Sequence, residues 1–293
     1  LDITMSGYDR LTHIRATRPS LIAEAASRRV PGVLKDRLFL LAADHPARGS
    51  LAVRDRPLAM ASRHDLLDRL RLALSRPGVD GVLAAPDVIE DLLLLGALDG
   101  KIVIGSMNRG GLPGTVFEAD DRFTAFDAGA LLDLRLDGGK MLCRIDPGDP
   151  ATASTLEACS QAVSALARRG LLAMVEPFWS SRVSGSLRND LSVEAVIRAV
   201  SVAQALGTTS AYTWLKIPCL PEMEAVMAAT TLPALLLGGD PPHLDSALAS
   251  WERALRLPGV RGLVVGRALL YPPDDDVAAA VDAAAALVRE DSR

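Results

Sequence analysis

The chain has 293 residues, 49% of them hydrophobic and 23% charged, a balance that suits a globular protein of one or two domains able to bury a large core. Its formal net charge of -4 is spread without a long run of one sign, which argues against a nucleic-acid surface and a basic membrane-binding face and leaves a small molecule as the expected partner. The cysteines Cys143, Cys159 and Cys219 lack paired metal-ligand spacing and fit a reducing cytoplasm better than a disulfide framework. No basic start leads into an apolar block, and the apolar runs are broken well short of about 20 residues, so neither an export signal nor a membrane span is expected.

Residues 1–36 are expected to form an extension, with a helical stretch at 19–29, that caps the bottom of the domain formed by 37–293. Short Val-, Ile- and Leu-rich runs then alternate with longer amphipathic ones. The expected strands are 38–43, 80–84, 101–105, 140–145, 171–176, 212–217, 233–237 and 261–265, each followed by a helix. Continuous apolar runs of this kind suit strands covered on both faces, and eight βα units in succession predict an α/β protein with the (β/α)8 barrel architecture. An open doubly wound sheet is the rival on rhythm alone, but the glycine-rich turn it requires after the first strand is absent; Ala42-Ala43-Asp44-His45-Pro46 stands there instead. Asp240-Pro241-Pro242 is expected to open the helix that Pro258-Gly259 closes, and Asp274, Asp275 and Asp276 to precede the last helix at the positive end of its dipole.

In a barrel of this kind chemistry collects where strands end, and four ionisable residues draw attention on that ground. Lys216 is a lone amine in the apolar run Trp214-Leu215-Lys216-Ile217-Pro218. Burial lowers a lysine pKa and yields a neutral amine that attacks carbonyl carbon, although a lysine snorkelling from a strand end is an equally economical reading. Alternation places Tyr212, Trp214 and Lys216 on one face, with Trp214 a layer below the lysine. Lys140 either activates Lys216 by its charge or merely follows the turn Asp137-Gly138-Gly139, and its place early in its strand counts against the first option. Glu176 closes a buried run before Pro177 and is either a proton carrier or one half of a salt bridge. Asp44 closes the first strand, where it would hold a substrate hydroxyl or pair with a lysine. The four histidines are too widely spaced for a metal cluster, so no metal and no cofactor is expected. Gly238, Gly239, Gly266 and Arg267 follow the last two strands, the usual place for a phosphate cradle, though glycines there also serve steric ends. Arg144 and Arg182 are candidates for a second anionic group or for surface ion pairs.

Together these motifs resemble the class I aldolases, the (β/α)8 Schiff-base lyases that include tagatose-bisphosphate, archaeal-type fructose-bisphosphate and deoxyribose-phosphate aldolases. The likeness spans most of the chain. It rests on Ala-Ala-Asp-His at 42–45, Gly-Gly-Lys-Met-Leu-Cys-Arg at 138–144, Val-Glu-Pro at 175–177, Leu-Lys-Ile-Pro at 215–218 and Val-Val-Gly-Arg at 264–267. The resemblance implies that Lys216 forms the imine, Glu176 moves protons, Lys140 assists by charge, Asp44 orients substrate hydroxyls, and the glycines with Arg267 hold phosphate. It further implies a cytoplasmic lyase of sugar or inositol catabolism acting on a phosphorylated ketose or keto sugar acid, with a homo-oligomeric assembly and neither nucleic-acid nor membrane partners. Pro46 and Arg48 stand where many relatives have a glycine after the histidine, and Trp214 and Pro218 flank the lysine, so the acceptor aldehyde stays open; a deoxy-keto sugar-acid phosphate and a sulfosugar phosphate are both compatible. The competing readings are a phosphate-binding barrel isomerase that works by acid-base chemistry without an imine, and a non-catalytic phosphosugar-binding barrel.

Overall fold

The structure is a computed structural model, which describes residues 7–108, 111–239, 241 and 243–290. Among the described residues nine strands form: β1 (Leu38–Ala43), β2 (Gly81–Ala84), β3 (Ile102–Ser106), β4 (Gly138–Ile145), β5 (Leu172–Val183), β6 (Ser186–Asn189), β7 (Thr213–Pro218), β8 (Ala234–Leu237) and β9 (Val260–Val265). All but β6 pair in parallel in the cyclic order β1-β2-β3-β4-β5-β7-β8-β9, with β9 returning to β1, so the sheet closes into an eight-stranded (β/α)8 barrel. Closure removes the sheet's edges, and the surrounding helices bury its outer face.

Side chains alternate across the barrel wall, which separates two apolar cores. Leu38, Leu40, Ala42, Leu83, Ile104, Met174 and Val264 fill the interior with the partly buried Trp214, whereas Phe39, Leu41, Met141, Cys143, Leu215 and Ile217 face the helices. The strands are staggered as a closed barrel requires. Lys140, the third residue of β4, pairs with Ser106 at the end of β3 and with Met174 of β5. Its early position in β4 is therefore not a low position in the barrel.

The end away from the strand C-termini carries structural polar contacts. Asp80 accepts from Phe39 N at 2.8 Å and pairs with Lys35 at 2.8 Å and with Arg289 of the last helix. Arg29 donates to Lys101 O at 2.7 Å and to Arg135 O. Two helices, Gly7–Thr17 and Ser20–Arg28, precede the barrel; Arg15 of the first pairs with Asp91 at 2.6 Å, in the helix Pro86–Leu94. The first of these helices has no counterpart in the sequence reading, which placed a helix at 19–29 alone.

The largest departure from that reading follows Glu176. In place of a strand ending there, β5 runs on to Val183 and turns back as β6, antiparallel to it. The reason is local: Ser184 and Gly185 sit at φ of 51° and 83°, the two positive values that a tight two-residue hairpin turn of matching twist requires. The other strand limits differ by a residue or two. Asp240 and Pro242, expected at the start of the helix after the seventh barrel strand, lie outside the described residues; the helix itself spans Leu244–Leu255. Asp276 accepts from Ala279 N at 2.9 Å, capping the last helix, Val277–Glu290. No described helix is long and apolar enough to cross a membrane.

Candidate active site

Four ionisable residues meet inside the C-terminal mouth of the barrel. The register fixes their heights: Ser106 pairs with Lys140, and Met174 pairs with Trp214, so that two residues further on Glu176 stands beside Lys216. Asp44 continues the inward series Leu38, Leu40, Ala42 one step beyond β1. From these backbones the side chains converge. Lys140 Nζ lies 2.5 Å from Glu176 Oε2 and 3.1 Å from Asp44 Oδ2, and Lys216 Nζ lies 3.0 Å from Glu176 Oε1. Ser106 Oγ donates to Asp44 Oδ2 at 3.4 Å. Both lysines are 3% exposed.

Two carboxylates and two amines in so dry a place set one another's protonation. Burial works against the Lys140 ammonium, but the Asp44 and Glu176 carboxylates outweigh it and raise its pKa. For Lys216 burial is the larger influence and, helped by the positive charge of Lys140, prevails over the pull of Glu176 and Asp44; its pKa falls below the ordinary lysine value. Burial alone would raise both carboxyls, yet Lys140 and then Lys216 reverse the sign. Glu176 is lowered to about 2 and Asp44 is held well below the usual carboxylate range. The two lysines thus differ in kind: Lys140 is a fixed cation, and Lys216 is the amine more readily deprotonated.

Access separates them too. A cavity of about 260 Å³ opens above the cluster; Glu176 and Lys216 form part of its wall, whereas Lys140 and Asp44 lie outside its lining. Gly238, Gly239, Gly266 and Arg267 line its far side, bringing the four residues read as a phosphate cradle around the same space as Lys216. Gly266 is required there sterically, because a Cβ would come within 2.3 Å of Ala42 O and 3.0 Å of His45 Cε1. Arg144 is also in the wall, while Arg182 is not: it sits on the extended β5 and pairs with Asp149 at 3.2 Å. The hairpin that the sequence reading did not foresee is what carries Arg182 away from the mouth.

Several lining residues escaped that reading. Ser50 comes from the segment after β1, beside Arg48, which the sequence marked as a departure from the aldolase motif at the pocket's opening; Phe178 comes from β5, and Asn189 and Leu191 from the returning β6 and its exit. His45 lines the cavity as well, with Nδ1 buried and lacking a hydrogen bond. Burial, reinforced by Arg267, Lys216 and Arg48, outweighs nearby Asp44 and lowers its pKa to about 3, so the imidazole is neutral. Ser106 was detectable by the alternation Ile102, Ile104, Ser106 along β3. Phe178 was detectable in the same way, two residues beyond Glu176 on β5, whereas Asn189 and Leu191 carried no comparable signal, since they reach the cavity only through the turn at 184–185.

An amine of lowered pKa in a cavity wall beside an ionised carboxylate suits addition to a carbonyl carbon, and a floor cation keeps that carboxylate charged. A second cavity, of about 250 Å³, lies at the opposite end of the barrel beneath the first two helices, and its lining holds neither lysine nor histidine.

Solved structures place the architecture among known ones. The chain is 53% identical to Cgl0159 from Corynebacterium glutamicum, over 98% of this chain and 99% of that one, with a TM-score of 0.95. An archaeal fructose-1,6-bisphosphate aldolase, solved with its catalytic lysine covalently bound to the carbinolamine intermediate of its substrate, is 23% identical, over 91% of this chain and 99% of that one, with a TM-score of 0.64. A fructose-bisphosphate aldolase from Slackia heliotrinireducens is 15% identical, over 95% and 87% of the two chains, with a TM-score of 0.69. At such identities the aldolase likeness is one of fold. Among curated proteins none is significantly similar. The Cgl0159-like family model matches residues 36–285, and the chain belongs to that family.

Proposed function

We propose that the chain is a Schiff-base aldolase that cleaves or forms a carbon-carbon bond in a phosphorylated ketose or keto sugar acid. One observation carries the reading: Lys216 is a buried amine of lowered pKa in the wall of a cavity, bonded to a carboxylate that a second, charged lysine keeps ionised.

In this reading the Lys216 ammonium first gives a proton to Glu176; Nζ attacks the ketone carbon, Glu176 passes that proton to the developing alkoxide, and it then accepts a second proton from the nitrogen as the carbinolamine forms. Glu176 then returns that proton to the carbinolamine hydroxyl, water leaves, and a protonated imine results. Removal of the proton from the hydroxyl two carbons from the imine carbon breaks the intervening carbon-carbon bond. The bonding electrons pass into the imine as an enamine, and an aldehyde departs. Protonation of the enamine carbon and hydrolysis of the imine release the second product and restore the amine. Lys140 stays charged throughout, holding Glu176 ionised at rest. Asp44 is engaged by Lys140 and Ser106, which supports a role in fixing that cation more than in gripping substrate. The glycines after β8 and β9 with Arg267 would receive the phosphate.

The test is cleavage of ketose phosphates, followed by triose phosphate release with and without a chelator. The expected result is chelator-resistant turnover that falls by about a thousandfold or more in a folded Lys216→Ala variant, in line with the loss of a covalent nucleophile. A Lys216→Ala variant with unchanged turnover would remove the proposal.

A further inference from the structure

Arg144 and Asp121 form a pair that the reaction above does not use. Arg144 leaves β4, and β4 stands four strands from β9 in either direction around the ring, so Arg144 is diametrically across the mouth from Gly266 and Arg267. A ligand with its phosphate at the β9 side and its carbonyl over Lys216 would bring its other end toward Arg144.

The guanidinium found there is already partly engaged. Nε donates to Asp121 Oδ2 at 2.9 Å, and Nη2 donates to Asp121 Oδ1 and to Glu118 O. Asp121 is fully buried. Its segment is anchored to β4 by Asn108, which donates from Nδ2 to Asp121 O at 3.0 Å and to Leu142 O at 2.7 Å, and accepts from Leu142 N at 2.6 Å. Among the described residues Nη1 of Arg144 donates to nothing, and the side chain is part of the cavity wall. A fork with two edges taken and one nitrogen left is a cation presented in one orientation, with about one charge already neutralised beside it.

We infer that Arg144, held by the positioning residue Asp121, makes the end of the cavity opposite the phosphate loops selective for a singly charged group such as a carboxylate and selective against a second phosphate. The charge arithmetic supports this. A carboxylate gains a charge-assisted bond from Nη1 and brings one negative charge, whereas a phosphate monoester brings about -1.5 to -2 to a guanidinium already paired with Asp121 and so meets the stronger repulsion from the Asp121 carboxylate. The substrate class that follows is a keto sugar-acid monophosphate in preference to a ketose bisphosphate. The inference rests on the aldolase reading for the placement of the carbonyl over Lys216, but its selectivity is measurable without any imine.

Calorimetry with three probes that lack a ketone supplies the test: 6-phosphogluconate, glucitol 6-phosphate and glucitol 1,6-bisphosphate. The wild-type protein is expected to bind 6-phosphogluconate at least tenfold more tightly than either of the others. Arg144→Met should bring its affinity down to that of glucitol 6-phosphate. Asp121→Asn, which restores the full charge of Arg144, should shift the ratio of bisphosphate to 6-phosphogluconate affinity at least fivefold toward the bisphosphate, an effect that loss of fold would not produce. Equal or tighter wild-type binding of the bisphosphate overturns the inference even if neither variant folds, and so does an unchanged ratio in both folded variants. Borohydride trapping with ketose phosphates on the same samples reports separately on the imine: selective binding without an adduct at Lys216 rejects the aldolase reading and upholds the selectivity, and an adduct without selectivity does the reverse.

Discussion

At the scale of single residues, the site is a division of labour between two lysines within reach of one carboxylate. Lys140 touches both Asp44 and Glu176, and Lys216 touches Glu176 alone. Their pKa values move in opposite directions for that reason. Replacing Lys140 by methionine removes a positive neighbour from Lys216 and leaves two carboxylates without their closest cation, and each change raises the Lys216 pKa. The acid limb of the pH-rate profile for imine trapping should therefore move to higher pH, by about one unit or more, with a loss of about 3–5 kcal/mol in stability from the broken buried pairs. An acid limb that stays put or moves to lower pH would contradict the assignment of roles. Much of this cluster was legible in the sequence, because period-two alternation selects Lys216 with Trp214, and the same rule applied to β3 reaches Ser106. The height of Lys140 was not legible. It depends on the stagger between β3, β4 and β5, a long-range property that no window of residues contains.

At the scale of elements, the barrel strands and their ends carry the ionisable cluster and the connections after them shape the opening. Gly266 lets β9 and its loop approach β1 so closely that any side chain would strike the Ala42 carbonyl. Gly266→Ala is expected to destabilise the fold by about 1–3 kcal/mol and to weaken binding of phosphorylated ligands by an order of magnitude or more, because the loop that presents Arg267 must shift. Thermal melts and inorganic phosphate titrations check the two effects; a variant with wild-type phosphate affinity would show that the loop does not grip the anion. The strands of the barrel announced themselves as short apolar runs. The β5-β6 hairpin did not, since residues 178–183 follow a proline and mix apolar with polar side chains, and only the turn at Ser184 and Gly185 reveals the return. Of the two readings the sequence left open for Arg182, a second anion site or a surface ion pair, the hairpin gives it the second, with Asp149.

At the scale of the whole molecule, the two ends of the barrel have different tasks. The lower end is tied by Asp80, Arg289, Arg29 and the N-terminal helices, while the upper end holds buried charge close to a cavity. Buried charge makes stability depend on pH. Glu176 is lowered from 4.5 to about 2, so it contributes stability that is present above the unfolded value and is lost as pH falls through that window. Between pH 4.5 and 2 the urea midpoint should fall with acid, and the slope should be shallower in Glu176→Gln, which removes one proton from the linkage. Parallel slopes would mean that Glu176 titrates normally in the folded chain. The barrel itself was readable from eight recurrent apolar runs; the convergence of Asp44, Lys140, Glu176 and Lys216 in one place follows from closing the sheet, which brings residues up to 172 positions apart in the chain into a single cluster.

The most direct test of the account is borohydride reduction of the protein in the presence of a ketose phosphate, followed by peptide mass mapping. The account predicts one covalent adduct, on Lys216, which is lost in Lys216→Ala and does not transfer to Lys140. An adduct on Lys140, or none on a protein that cleaves the same ketose phosphate, would contradict it.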